Sequence, residues 1–444
     1  MSTQKYTFTS LRRAAWRAWL MASALSLLAY SLVLAASGDL DASFSGDGLV
    51  TFNFPGALFS EHGEAVAVQL DGKIVVAGER FDEADPAAST ADFVVVRYNA
   101  DGTLDNTFSG DGVVLTDFGG AEYGYDLAIQ RDRKIVVVGS KATPSPLDVA
   151  VARYNADGTL DNTFSGDGKQ VIGFGAGVSN TASAVVIQPD GKIVIAGSRG
   201  SYGNSDFAIY RLNRNGSPDT TFSGDGRARV DFGGNEGASD LALQSDGKIV
   251  IVGEKGLFGA TDMALARLNA NGTLDNTFSG DGKQTTNFGA SEEAGSVVIQ
   301  PNGKIVVAGS KCAAGCDVAV ARYNVNGSLD ITFSGDGRQV IGHGAGVDNM
   351  SAGGLVIQPD GRIVIAGWMD NGSNFDFALY RLKSGGALDT SFNGDGRAAF
   401  DFGLNLSESP MALALQGDGK YVLAGDIYYG GGHDYDLAVA RIMP

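Results

Sequence analysis

Residues 64–77 read Glu-Ala-Val-Ala-Val-Gln-Leu-Asp-Gly-Lys-Ile-Val-Val-Ala. Small apolar residues alternate through Glu64–Gln69, and Lys73–Ala77 is almost continuously apolar. Alternation describes a strand with one covered face, whereas an unbroken β-branched run describes a strand covered on both. Asp71-Gly72 between them suits a tight turn needing positive φ, so the stretch reads as a β-hairpin. Two more strand-like runs follow, Phe93–Tyr98 and Val113–Phe118. No segment in this unit offers a helical apolar period.

The unit repeats. Ser-Gly-Asp-Gly begins at Ser45, Ser109, Ser165, Ser223, Ser279 and Ser334 and returns as Asn-Gly-Asp-Gly at Asn393, a period near 58 residues. That period is too long for leucine-rich or ankyrin repeats. Lys169–Gly197 and Arg338–Gly367 are nearly the same text. No linker interrupts the series, so residues 38–444 form one domain. Its repeats fall near 38–103, 104–159, 160–217, 218–273, 274–328, 329–387 and 388–444. Four short antiparallel strands per repeat, each sheet burying both faces against its neighbours, predict an all-β, seven-bladed β-propeller. A β-solenoid competes, but its coils are usually shorter and lack hairpin signals. The ends fit the propeller. Residues 49–54 have the pattern of a fourth strand and Asp436–Ile442 that of a third. Pairing them completes the last blade and removes two sheet edges.

Glycine accounts for 64 of 444 residues, about twice the usual share and without a collagen period, which agrees with many tight turns. The formal charge of −18 makes a phosphate backbone a poor partner, so nucleic-acid binding is excluded. Residues 1–37 contain no acid. Lys5, Arg12, Arg13 and Arg17 precede an apolar run from Trp19 to Ala36, which ends in Ala35-Ala36-Ser37. These are the parts of a secretory signal peptide, with a retained membrane anchor as the competing reading. The expectation is export to the periplasm or beyond, with no stable membrane insertion after the leader is removed.

The text of Ala184–Gly197 (Ala-Val-Val-Ile-Gln-Pro-Asp-Gly-Lys-Ile-Val-Ile-Ala-Gly), with Phe207–Asn213 and Pro218–Phe232, resembles the bacterial delta-60 repeat. The resemblance covers essentially all of residues 38–444. It implies a β-propeller of unknown function and an exported protein, and it carries over no catalytic residue.

Several repeated residues invite a chemical reading. Arg fills one third-strand slot seven times (Arg97, Arg153, Arg211, Arg267, Arg322, Arg381, Arg441), with an Asp five residues before each. A ring of charge around a channel is one reading. Internal pairing or carbonyl bonding, repeated in each blade, is the favoured one, because third strands lie away from the axis. Asn99-Ala-Asp-Gly-Thr-Leu-Asp105 resembles part of a calcium loop, but Arg97 and Phe108 stand where acids belong. Turn chemistry accounts for it, and no cofactor is expected. Ser-Gly-Asp-Gly lacks the helix start and the adjacent Lys-Ser/Thr pair of a phosphate loop. Cys312 and Cys316, sharing one inter-strand loop, suit a local disulfide in an exported chain.

The loops divide unequally. Those after first and third strands are nearly identical from unit to unit, whereas those after second and fourth strands vary. All ten glutamates and all three histidines fall in or at the edges of the variable set. Phe59, Glu61, His62, Tyr125, Glu236, Glu292, Trp368, Tyr428 and His433 are the candidate binding-face residues. His343 is set aside, since it fills a slot held by Phe in the other units. Uniform turns on one face and diverse loops on the other suggest a recognition surface. The expected function is a monomeric, non-enzymatic binding or scaffold module with a protein or glycan ligand. The alternative is a propeller hydrolase or lyase with its site at the central channel mouth. No Ser-His-Asp set or His-rich metal pattern is legible.

Overall fold

In the computed structural model the described residues are 35–54, 59–82, 91–142, 146–173, 177–201, 203–257, 259–313, 315–342, 351–403, 406–430 and 435–444. The leader expected over residues 1–37 thus lies almost wholly outside them, as do His343 and His433. Residues 37–444 form one compact unit.

The first blade comprises Phe59–Val68, Ile74–Asp82, Ala91–Tyr98 and Val113–Thr116, each antiparallel to the next. Five more sheets repeat this order, the third having its first strand split into Ser179–Asn180 and Ala184–Ile187. The seventh sheet is Ser407–Leu415, Tyr421–Tyr428, Tyr435–Ile442 and, from the other end of the chain, Leu49–Phe52. Leu49 faces Ala440 and Phe52 faces Leu437 across that last pairing. The fold is a seven-bladed β-propeller closed by its N-terminal strand. First strands of successive blades contact one another all the way round and line a central channel.

The continuous apolar runs are the middle of each sandwich. Ile74, Val75, Val76 and Ala77 have no exposed surface, nor have their equivalents in the second strands of other blades. Seven apolar clusters fill the seven blade-to-blade interfaces. At the seam, Ile74, Val76, Val94 and Val96 of blade 1 meet Val422, Ala424, Leu437 and Val439 of blade 7.

The repeated arginines tie blades together. Arg97 Nε donates to Asp105 Oδ2 at 2.6 Å, and its Nη1 donates to the carbonyl of Ala156 in the next blade at 2.6 Å. The guanidinium also lies 4.4 Å from the ring centre of buried Phe108. Its acid partner is therefore eight residues downstream, not five upstream. Lys73 Nζ shares that carboxylate at 2.6 Å. At the seam Arg441 pairs with Asp41 and reaches the carbonyl of Ala100. Burial alone would raise the Asp105 pKa. The Lys73 and Thr107 hydrogen bonds and the Arg97 charge overcome this and hold it well below the usual carboxylate range. These ions are internal to the wall, and no charge ring faces the channel from this slot.

The Asn99–Asp105 connection uses its oxygens locally. Asp101 Oδ1 accepts from the backbone and hydroxyl of Thr103, at 3.0 and 2.7 Å, while Asp105 is taken by Arg97 and Lys73. Cys312 and Cys316 face each other across a hairpin and are joined as a disulfide.

Candidate functional site

One irregularity decides what the channel presents. In blades 1, 2, 4, 5 and 7 the pairing of first and second strands slips by one residue, leaving Glu64, Tyr125, Ser239, Gly295 and Met411 without a partner opposite. A β-bulge re-aims the extra side chain. All five residues line the axial cavity of about 560 Å³, together with Asp126, Thr181, Ser183 and Asp240. Each of these five blades thus offers the channel one bulged residue, different in every case.

The bulge also lengthens the first strand. Phe59–Val68 starts well before the Glu64 expected from apolar alternation, so Glu61 and His62 lie in a strand rather than a loop. Glu61 has no exposed surface, and neither have Glu122, Glu236, Glu292 and Glu408 at the matching position. They serve blade junctions: Glu61 accepts from Phe54 N at 3.4 Å, Glu122 from Phe118 N at 3.1 Å and Glu292 from Ala290 N at 2.7 Å. Glu61, Glu236 and Glu292, expected on a binding face, are thus buried. The missed signal was a recurring place after a Phe-Gly step, four residues on for Glu122, Glu236 and Glu292.

A second slot completes the mouth. The slot is the residue after the second-strand Gly, and in blades 1 and 7 its side chain reaches the next blade beside the bulge. It is Glu79, Ser140, Ser198, Glu254, Ser310, Trp368 or Asp426. The Gly is required there, because a Cβ on Gly78 would sit 1.9 Å from the His62 carbonyl oxygen. Glu79 accepts from Gly124 N at 3.2 Å. Asp426 accepts from Gly63 N at 2.8 Å through Oδ1, and its Oδ2 lies 2.8 Å from His62 Nδ1.

Glu64 joins this pair: one side-chain ligand atom from each of His62, Glu64 and Asp426 lies within 4.8 Å of the others. Burial, then the Asp426 charge, pushes the Glu64 carboxyl up to about 7, with His62 opposing. Burial, then the charges of Glu64 and Asp426, push Glu79 well above the usual carboxylate range, with the Gly124 hydrogen bond opposing. Burial would lower the His62 pKa, but the Asp426 hydrogen bond and charge, with Glu64 and Glu61, raise it above 6.5. Burial, then the charges of Glu79 and Glu64, raise Tyr125, which keeps its proton. Deeper in the channel Asp126 bridges blades by accepting from Val185 N at 2.6 Å, and Asp240 accepts from Val297 N at 2.7 Å. Burial lifts them to about 8 and about 6.

Aromatic rings frame the cluster. His62 lies 4.7 Å from Tyr435 and 5.6 Å from Phe81, Tyr435 lies 4.8 Å from Tyr428, and Phe81 lies 5.8 Å from Tyr123. Arg80 covers Phe59 at 4.7 Å. Of the expected residues, the structure gathers His62, Tyr125 and Tyr428 here. Trp368 packs with Phe375 at 6.3 Å instead. His433 lies outside the described residues. Glu64, Glu79, Asp426, Phe81, Tyr123 and Tyr435 complete the site and were not singled out as site residues. Aligning the slot after the second-strand Gly would have found Glu79 and Asp426.

Against known proteins, the sequence matches one family model. Residues 69–108, 130–164, 188–222, 244–278, 300–333 and 358–392 are similar to the domain of unknown function DUF5122, a β-propeller. Six segments of the chain match it. Each match runs from a first hairpin turn to the buried Phe that precedes the same blade's fourth strand. The seventh such stretch is divided between the two ends of the chain. No curated protein matches the sequence. Among solved structures, a protein of unknown function from Dyadobacter fermentans is 13% identical, with a TM-score of 0.45 and coverage of 89% of this chain and 99% of that one. The polysaccharide lyase Uly1 is 12% identical, at 0.46 and 94% of both. A PL25 ulvan lyase bound to -[GlcA(1-4)Rha3S]- is 10% identical, at 0.48, covering 87% and 95%.

Proposed function

We propose that this protein is an exported, monomeric binding propeller whose ligand seat is the channel mouth over blades 7, 1 and 2, and that the ligand is a glycan. The observation that carries the reading is the His62–Asp426 pair beside Glu64, set within an arc of aromatic rings. Aromatic faces stack on the apolar faces of sugar rings, and convergent carboxyl, imidazole and phenol groups hydrogen-bond hydroxyls in known directions. The acid-free, arginine-bearing start of the sequence and the Cys312–Cys316 disulfide support export.

The test is titration of the purified protein with a panel of neutral and acidic polysaccharides by calorimetry. His62→Ala and Tyr435→Ala are expected to weaken binding at least about tenfold, with unchanged folding. Full affinity in both variants would reject this seat.

One observation favours a second reading. A histidine oriented by an aspartate, next to a carboxyl poised near neutrality, is an acid–base arrangement. In that reading Asp426 orients His62 as the base, and Glu64 supplies the proton to a leaving oxygen. New reducing ends or unsaturated sugar products, lost in His62→Ala and Glu64→Gln, would establish it.

A further inference from the structure

The third-strand aspartates left unused by the arginines meet two other positions at the blade junctions. One is the residue just after the fourth strand, and the other is the buried first-strand glutamate. At the junction of blades 6 and 7 these are Asp376, Asp401 and Glu408, with one oxygen of each within 4.8 Å of the others. Local bonds orient them: Asp401 Oδ1 accepts from Gly403 N at 2.6 Å, Asp376 from Asn371 Nδ2 at 3.0 Å, and Glu408 Oε1 from Phe402 N at 3.1 Å. Glu408 has no exposed surface, and its Oε2 has no hydrogen-bond partner among the described residues. The charges acting on Asp376 and Glu408 are Asp370, Asp376 and Asp401, all of the same sign.

Other junctions fill this place from within the chain. Asn53 Nδ2 donates to Asp436 at 2.6 Å, and Asn287 Nδ2 donates to Asp262 at 2.5 Å. There an amide replaces the middle carboxylate, although Glu61 Oε2 and Glu292 Oε2 remain without a partner. Where the middle residue is Asp, a guanidinium enters. Arg229 lies 2.5 Å from Asp206 and 3.6 Å from Asp231, and Arg80 lies 3.2 Å from Asp92. At the blade 6–7 junction no guanidinium enters among the described residues; an amide, Asn371 Nδ2, donates to both oxygens of Asp376 at 3.0 Å, but the middle position stays a carboxylate, Asp401.

We propose that Asp376, Asp401 and Glu408 bind a divalent hard cation of the calcium class. The donors are all carboxylate oxygens, with no nitrogen or sulfur to favour zinc or copper, and they come from three separate segments of the chain. The ion would stand where Arg229, Arg80, Asn53 and Asn287 stand elsewhere, and it would tie blade 6 to the blade that closes the ring. A proton held by Glu408 is the competing occupant.

Calorimetric titration of the chelator-treated full chain with calcium chloride, paired with thermal melts, separates the two. The expected result is about one ion bound per chain and a melting temperature raised by several degrees. Asp401→Asn writes into this junction the amide found at Asn53 and Asn287. It is expected to fold, to give no calcium heat and to melt identically with calcium or chelator. Glu408→Gln provides a second variant with the same expected loss. A wild-type chain that takes up no calcium at about 10 mM, or an Asp401→Asn chain that binds as wild type does, overturns the proposal.

Discussion

Asp426 and His62 are separated by 364 positions in the sequence and by 2.8 Å in space, across the seam between the last blade and the first. Asp426 Oδ1 also accepts from the backbone of Gly63, so the carboxylate fixes both the imidazole and the bulge that presents Glu64. The candidate site depends on this one contact more than on any other.

Removing the charge at that contact should be visible on the histidine. In Asp426→Asn the hydrogen bond and charge that raise His62 are weakened, while burial, which lowers it, remains. Its pKa is expected to fall by about one pH unit or more, measured by NMR titration of the imidazole. An unmoved titration would show that Asp426 does not set the charge of the site.

The buried ion pairs of the wall should matter to stability and not to binding. Asp161 holds Lys134 at 2.6 Å and Arg153 at 2.7 Å, and only 2% of it is exposed. Asp161→Ala strands two cations and should cost about 3 kcal/mol in denaturant unfolding. Asp157→Ala, in the exposed turn of the same repeat, should cost about 0.5 kcal/mol.

Stability should peak in mild acid. Asp41, Asp105, Asp161, Asp219, Asp275 and Asp330 are held well below their ordinary 3.8, so their contribution is full above that value and lost as pH falls through the folded values. Glu61 and Glu64 rise to about 7, Glu408 and Asp126 to about 8 and Asp240 to about 6. Those groups contribute fully below their unfolded values of 4.5 or 3.8, and that contribution is lost as pH rises through the folded ones. The melting temperature in metal-free buffer is expected to be highest at about pH 4–5 and lower at about pH 8. A melting temperature that climbs steadily from pH 5 to about pH 8 would refute the placement of these carboxyls.

The disulfide should be a local brace. Cys312 and Cys316 are four positions apart, so little chain entropy is removed by closing the loop. The double variant Cys312→Ser, Cys316→Ser should fold and lose about 2 kcal/mol or less. Loss of the fold would assign the bond a wider role.

The ring was legible because its causes are local. Asp71-Gly72 and the run after it specify a hairpin, and seven copies with a spare strand at one end leave one way to close. The site was less so. Glu61 and Glu64 stand three residues apart in similar text, yet one caps a junction inside the protein and the other looks down the channel. What separates them is a bulge, and a bulge is a register shift between strands that no single strand encodes. His62 was found because histidine is rare in this chain, whereas Asp426 was hidden among 51 acids until its slot placed it opposite.

Closing the last blade with Leu49–Phe52 has a consequence in time. His62 emerges early from the ribosome and Asp426 near the end, so a growing chain can hold six hairpin-rich repeats and still have no site. On the proposed binding reading, ligand affinity reports completion: it arises in the same step that joins the first folded segment to the last, and a nicked or shortened ring forfeits it even where every local strand survives.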